Sequence, residues 1–420
     1  MTGSLHQDVR AQQIHYPALP SPLRRLLPVA AVAGLLLTST TGLRFASTRL
    51  ADFAGYYTAA RIICSEDSLS RLYSDEWFQQ KLEELGIHEP TIVMYVNPPT
   101  TGLFVLPVSW LPPFTAKLVW AGMTIAACLA ACWLLIQAYD IPPRTGYRPL
   151  LLLFVTGSLP FLRNLQLGQV YGIVFLIFAA MLFFYVRRNA FAVGSCVAAV
   201  LLLKWYGWMF FLLFAAQRRW KELWWSIGWS IAGGALALLW FRPATYVAEF
   251  TRIGNIAGAI DTTGPALRSF IAPLSRLFYH DDLLNPGAVA HIPWLPLVFS
   301  VVLTAGFLAA TLWAFRYRDE AAVPPLLALS VLATPLAADH HYVIMAIPAF
   351  VLVTHTDWRT ARPVVQILTA LLLYALLGWM PIPGSLVGWS GLLMYTRVCA
   401  AIVVLVLLLV SSRSSTSERP

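Results

Sequence analysis

Charge is what this sequence has least of. Of its 420 residues, 12 % are Asp, Glu, Lys or Arg, while 58 % are hydrophobic and the mean hydropathy is +0.68. So little charge cannot cover a water-soluble surface, and the composition is that of an integral membrane protein. Cysteine is scarce too. There are five (Cys64, Cys128, Cys132, Cys196 and Cys399), and only Cys64 falls in a polar loop, so no disulfide is expected. No His/Cys spacing suits a metal, and neither a metal nor a cofactor is expected. A Gly-rich nucleotide-phosphate loop and a Gly-x-Ser-x-Gly elbow are both missing. So is a convincing pair of hydrolytic carboxylates. The net charge of +9 is dispersed in twos and threes between apolar runs, which excludes a nucleic-acid groove and leaves membrane lipids as the natural surroundings.

What the chain has in abundance is long apolar runs and aromatic rings, 16 Trp, 16 Tyr and 23 Phe, suited to lipid–water boundaries. Crossing a bilayer takes about 20 apolar residues, fewer where a helix is kinked or the bilayer thins. The runs predict an all-α polytopic protein with about 11–13 membrane helices. They lie near 26–43, 114–138, 150–163, 170–186, 190–203, 206–216, 223–241, 294–315, 323–338, 342–355, 364–380 and 392–411. Residues 1–25 read as a cytoplasmic N-terminal tail, 26–411 as the catalytic body, and the Ser-rich 412–420 as a disordered cytoplasmic tail. Two long loops interrupt the body, at 44–98 and 242–293. The first carries eight of the 20 acidic residues, including Glu66 and Asp67. Its pattern, Leu69-x-x-Leu72-Tyr73, then Trp77-Phe78 and Leu82-x-x-Leu85, predicts two short helices on the membrane surface. Residues 99–111 are apolar but short and Pro-bounded, which predicts a re-entrant or interfacial piece. With that threading, 16 of the 29 Lys and Arg fall in the segments on the side of the termini. Both termini are then cytoplasmic and both long loops outside.

Four polar sites then share the outer face. They are Asp52 with Tyr56 and Tyr57; Arg163-Asn164-Leu165-Gln166-Leu167-Gly168-Gln169; Lys204-Trp205-Tyr206; and Ala338-Asp339-His340-His341-Tyr342. Each has a bland explanation: Asp52 as a helix N-cap, the glutamines as interhelical glue, Lys204 as a snorkelling cation, the histidines as satisfied interfacial residues. Together on one face they suit one chemistry. Cations and imidazoles at headgroup level (Lys204, His340 and His341, with Arg163) can hold a lipid-linked sugar phosphate and stabilise it as it leaves. A carboxylate, Asp52, can take the proton of an acceptor hydroxyl. A transporter or flippase of lipid-linked glycans is the competing class, but it would favour midplane polar residues and an internal repeat. A ligase or polymerase of lipid-linked glycans would rely on Arg and His in one large loop instead.

Several motifs carry a resemblance. Asp52-Phe53-x-x-Tyr56-Tyr57-x-Ala59-Ala60 with Leu72-Tyr73 resembles the opening motif of glycosyltransferase family 87. Tyr95-Val96-Asn97-Pro98-Pro99 with Leu106-Pro107 and Leu111-Pro112 is similar to its second. Asn164–Val170, Lys204, and Leu332-Ala333-Thr334-Pro335-Leu336 with Asp339-His340-His341 resemble three more. The likeness covers roughly 50–345 in order. It implies a GT-C-type fold, a polyprenyl-phosphate sugar donor, typically mannose, and an extracytoplasmic lipid or glycan acceptor. It implies inversion at the anomeric carbon with Asp52 as base, in the plasma (inner) membrane. The substrate-binding positions expected alongside are Tyr56, Tyr57, Asn97, Gln166, Gln169 and Asp339. Three positions depart from the family pattern: Asn97 stands where Tyr is usual, Tyr171 where Asn is usual, and Ala338 where an aromatic is usual.

Overall fold

The computed structural model describes residues 16–65, 69–89, 95–257, 267–282, 285–316, 320–354, 358, 360–380 and 388–414. Among these residues the structure is built from helices alone. In order they are α1 Ser21–Ala46, α2 Phe53–Ile63, α3 Asp75–Glu84, α4 Thr101–Val105, α5 Pro113–Ala138, α6 Tyr147–Thr156, α7 Leu159–Leu167, α8 Tyr171–Val186 and α9 Ala190–Lys204. They continue with α10 Trp208–Ala216, α11 Trp220–Ala257, α12 Ile271–Phe278, α13 Leu295–Phe315, α14 Val323–Ala333, α15 Ala346–Thr354, α16 Pro363–Leu377 and α17 Thr396–Ser414. The chain is an all-α polytopic membrane protein. Five segments are long and apolar enough to cross a bilayer: α1, α5, most of α11, α13, and 388–411 with α17. The pair α6 and α7, bent by 42°, makes a sixth if it is one span, and five shorter apolar helices accompany them.

Lipid-facing and protein-facing surfaces separate cleanly. Leu26, Val29 and Leu36 on α1, Leu236, Leu239 and Trp240 on α11, and Val301 and Val302 on α13 are all exposed, as side chains that meet acyl chains should be. At the other extreme, every residue from Val323 to Leu332 and from Ala346 to Val353 is buried, so α14 and α15 form the centre of the bundle. The two are too short to be rigid pillars. Pro335 and a tight 3₁₀ turn, Asp339–Met345, connect them, and that turn carries the two histidines into the protein interior.

Several sequence expectations change. The 44–98 segment is more than a surface loop. It contains α2, ten of whose eleven residues are buried; its alanines favour helix and its small residues let neighbours approach closely. The two short surface helices correspond to the 3₁₀ turn Leu69–Tyr73 and α3, while Glu66 and Asp67 lie outside the described residues. The 242–293 segment likewise begins as helix: α11 runs to Ala257, breaking at Arg242, whose φ of 62° precedes Pro243. Proline disfavours α geometry in the residue before it, which locates the kink. In the C-terminal tail, α17 continues through Ser414 and only 415–420 lie outside the described residues. As expected, 99–111 does not span. It forms α4 and one 3₁₀ turn, Leu106–Val108.

Candidate active site

The loop before α2 sets the site. Ala51 has a positive φ of 50°, which turns the chain sharply and puts Asp52 at the N-cap position of α2. An aspartate there normally accepts from the helix's first amides. Here it does not; no side-chain cap bond forms. Instead Oδ2 accepts a 2.6 Å hydrogen bond from Nε2 of Gln169. Gln169 is aimed by its own turn. α7 ends at Gly168 with φ 70°, and Gln169 N–H returns to the Asn164 carbonyl. A Cβ at Gly168 would lie 2.5 Å from Phe53 Cβ, so glycine is required both for the left-handed turn and for the approach of α2.

From Gln169 the bonds continue. Tyr56 O–H donates to Gln169 Oε1 at 2.6 Å, and Lys204 Nζ donates to the Tyr56 hydroxyl at 3.1 Å and to Asn97 Oδ1. Apart from the Lys204–Asn97 branch, the donors point one way, from the Lys204 ammonium through Tyr56 and Gln169 to the Asp52 carboxylate. Such chains polarise one another in a low-dielectric setting. Gln169 and Tyr56 are buried, while Asp52 is exposed. Among the described residues nothing bonds Asp52 Oδ1, so that oxygen is available to a ligand. Although exposed, Asp52 stands in a crowded protein environment. That desolvation raises its pKa above the usual aspartate value, against the opposing pull of the Gln169 bond and the Lys117 and Lys204 charges; Glu89 adds to the rise.

Lys204 closes α9, and Trp205 follows it in a left-handed conformation. The last carbonyls of that helix are satisfied from the Asn97-Pro98-Pro99 segment: Thr101 Oγ1 donates to the Leu203 carbonyl at 2.7 Å and Thr100 Oγ1 to that of Leu202. The second motif thus docks on the end of α9 and delivers Asn97 to Lys204. Tyr171, at the start of α8, joins this group to the histidines. Lys204 Nζ lies 5.0 Å from its ring centroid, and the ring packs against His341 with centroids 3.9 Å apart and the planes tilted by 37°. His341 packs against His340 at 4.4 Å, and its Nδ1 accepts from the Ala338 amide at 3.0 Å. Asn164 Nδ2 donates to the His340 carbonyl at 2.8 Å, tying α7 to the same turn. Two of the departures from the family pattern, Asn97 and Tyr171, are therefore at the junctions of the cluster, and Ala338 uses only its backbone there.

Not every candidate joins the chain. The Tyr57 hydroxyl donates to the Leu111 carbonyl at 2.9 Å, and its ring packs on Phe53. Arg163 is exposed and donates to Gln166 Oε1 on its own helix at 3.0 Å. Asp339 differs most. It stands next to the histidines in sequence and was expected among the substrate-binding positions, but its Oδ1 accepts from Arg268 Nε at 3.1 Å and from Arg397 Nη1. Both guanidiniums are buried, and the carboxylate at the start of the 3₁₀ turn is their shared acceptor.

Two buried ionisable groups at this end gave no signal in the sequence. Lys117 Nζ donates to the carbonyls of Arg49 and Gln166, each at 2.6 Å. Glu249, on the far half of α11, accepts from Trp205 Nε1 at 3.0 Å. Glu249 lay in a stretch read as loop, and Lys117 stands one turn into a helix where a snorkelling lysine is ordinary. Among the described residues no group of three or more His, Cys, Asp and Glu could hold a metal ion.

A sequence model described as glycosyltransferase family 87 matches residues 95–338, more than half of the chain. The chain belongs to glycosyltransferase family 87. No curated protein matches it. The family-87 segment contains Asn97, Lys117, Gln169, Tyr171 and Lys204 and stops just before Asp339, while Asp52 lies ahead of it. The hydrogen-bond chain is what attaches Asp52 to the matched region. The protein is a membrane glycosyltransferase.

Proposed function

We propose that this enzyme transfers a sugar, mannose, from a polyprenyl-phosphate donor to an extracytoplasmic lipid or glycan acceptor, with inversion, and that Asp52 is the general base. One observation carries this reading: Asp52 and Tyr56 from the start of α2, Gln169 after α7 and Lys204 at the end of α9 form one directed chain of hydrogen bonds, with Asn97 accepting from Lys204 beside it. In the step, the acceptor oxygen attacks the anomeric carbon and its proton passes to Asp52 Oδ1. The carbon–oxygen bond to phosphate breaks, and its electron pair leaves with the polyprenyl phosphate. A phosphate leaving group needs no protonation by an acid, so one carboxylate suffices. Lys204, His340 and His341 take the phosphate and its growing charge, with exposed Arg163 at the edge of the site. Asn97, Gln166 and Gln169 offer amide groups to sugar hydroxyls, and Tyr56 and Tyr57 pack the sugar's surroundings. Asp339 acts from behind, by fixing the turn that carries the histidines.

The enzyme is proposed to have the GT-C architecture and to sit in the plasma membrane with cytoplasmic termini and an outward-facing site. The impermeant labelling of exposed Cys64 in intact cells tests that face; labelling only after the inner membrane is broken would reverse it. The decisive assay supplies purified protein with either polyprenyl-phosphate-mannose or a nucleotide-mannose and a panel of lipid acceptors. Transfer from the lipid-linked donor alone is the expected result, and direct use of the nucleotide sugar with no lipid intermediate overturns the reading.

A further inference from the structure

Lys117 is an unusual lysine. It is completely buried in the first turn of α5, and its ammonium spends two of its donors on backbone carbonyls rather than on a carboxylate. The two carbonyls are not arbitrary. Arg49 lies three residues before Asp52, with the left-handed Ala51 between them. Gln166 lies three residues before Gln169, with the left-handed Gly168 between them. Lys117 therefore grips each strand of chain immediately before the turn that aims its functional side chain. The Asp52–Gln169 hydrogen bond closes the same ring from the other side. Both turns need a fixed starting point, since a residue with positive φ can relax if its anchor is free.

We infer that Lys117 is a positioning residue for the base: it clamps the Arg49 and Gln166 carbonyls so that Asp52 and Gln169 meet, and its charge acts on the Asp52 carboxylate. This rests on the reading of Asp52 as base. Burying an ammonium is costly unless its hydrogen bonds are met, and a helix as apolar as α5 could have carried leucine here. The charged groups that act on Asp52 are Lys117 from α5, Lys204 from α9 and Glu89 from the segment after α3. Glu89 also accepts from the Leu50 amide at 2.8 Å, so the two residues Arg49 and Leu50, just ahead of Asp52, are each held by a charged side chain. Lys117 favours the ionised carboxylate and Glu89 opposes it.

The test compares Lys117→Met with wild type in single-turnover transfer from polyprenyl-phosphate-mannose across a pH series. Methionine fills the space but neither bonds the carbonyls nor bears charge. Turnover should fall about tenfold to a hundredfold, with the donor KM nearly unchanged. The acid limb should move to higher pH, because loss of the cation raises the Asp52 pKa and more of the base is protonated at a given pH. Lys117→Gln, which restores donors but not charge, should recover part of the turnover and keep the displaced limb; it also serves if the Met variant fails to fold. In an Asp52→Asn background, Lys117→Met should cost nothing further, since it acts through the missing group. Unchanged turnover and acid limb in both Lys117 variants overturn the inference, as does a loss that is fully additive with Asp52→Asn. Failure of the base reading is distinct: Asp52→Asn would then retain turnover on its own.

Discussion

Asp52 and Asp339 are both aspartates at the start of a helical turn, both attached to the same cluster of motifs, and they are held in opposite ways. One Asp52 oxygen meets a neutral amide, and the residue is exposed. Asp339 puts one oxygen against two buried guanidiniums. Asp339 is the shared acceptor of two buried guanidiniums, whereas Asp52 is crowded by protein and bonded by an amide, and that desolvation raises its pKa above the usual aspartate value. In the proposed function the two acids therefore divide by environment: Asp52 serves the chemistry and Asp339 the scaffold.

The sharpest way to break that comparison is to neutralise each in turn. Asp52→Asn keeps the size and can still accept from Gln169, but it cannot take a proton. Turnover should fall at least about a hundredfold, with expression and donor binding near normal. Asp339→Asn should spare the chemistry and damage the fold. It leaves Arg268 and Arg397 buried without their shared carboxylate, and breaking a buried pair in this way costs about 3–5 kcal/mol. Thermal unfolding in detergent and single-turnover transfer, measured on both variants, separate the outcomes. If Asp52→Asn keeps near wild-type turnover when chemistry is rate-limiting, Asp52 is not the base. If Asp339→Asn is as stable as wild type but inactive, the two roles are exchanged.

The same contrast shows what could be read from the chain in advance. The motifs around Asp52, Gln169, Lys204 and His341 stand out because each is a polar island in an apolar run, and such islands have to face one another or water. Their meeting at one end of the bundle follows from that. The partners of Asp339 could not be foreseen: Arg268 and Arg397 lie 71 and 58 residues away, and nothing local distinguishes them from other basic residues. α2 was hidden for another reason. Phe53–Ile63 is too short and too mixed to read as a span, and its burial depends on neighbours that arrive later in the sequence, such as Gly168. The long apolar helices were legible by composition, whereas the kink at Arg242, and with it Glu249, depended on one proline in a segment that looked like loop.

A smaller effect is expected at the other end of the chain of bonds. Lys204→Ala removes the ammonium that donates to Tyr56 and Asn97 and that faces Tyr171. A charge-assisted contact of this kind is worth about 1.5–3 kcal/mol. If Lys204 holds the donor phosphate, the loss should fall mainly on donor KM, with a lesser loss of turnover; His341→Ala should weaken donor binding in the same direction. Unchanged kinetics in both variants would remove the phosphate from this end and leave Lys204 as a purely structural donor.

The least disruptive change tests the link between the two ends. Tyr56→Phe keeps the ring, which is buried and packs edge-on to Tyr95, and deletes only the hydroxyl. That hydroxyl both donates to Gln169 and accepts from Lys204. Its loss leaves Gln169 Oε1 without that donor, but the Gln169–Asp52 bond is untouched, so the base should remain in place. A single net hydrogen bond is worth about 0.5–1.5 kcal/mol, and a turnover loss of about fivefold is expected, with the acid limb of the pH profile near its wild-type position because both charges remain. A loss as large as that of Asp52→Asn would make Tyr56 a proton-transferring group in its own right. No loss at all would mean that Asp52 and Lys204 act independently. The directed chain would then be a packing arrangement, and the contrast between the aspartates would rest on Asp52 and Gln169 alone.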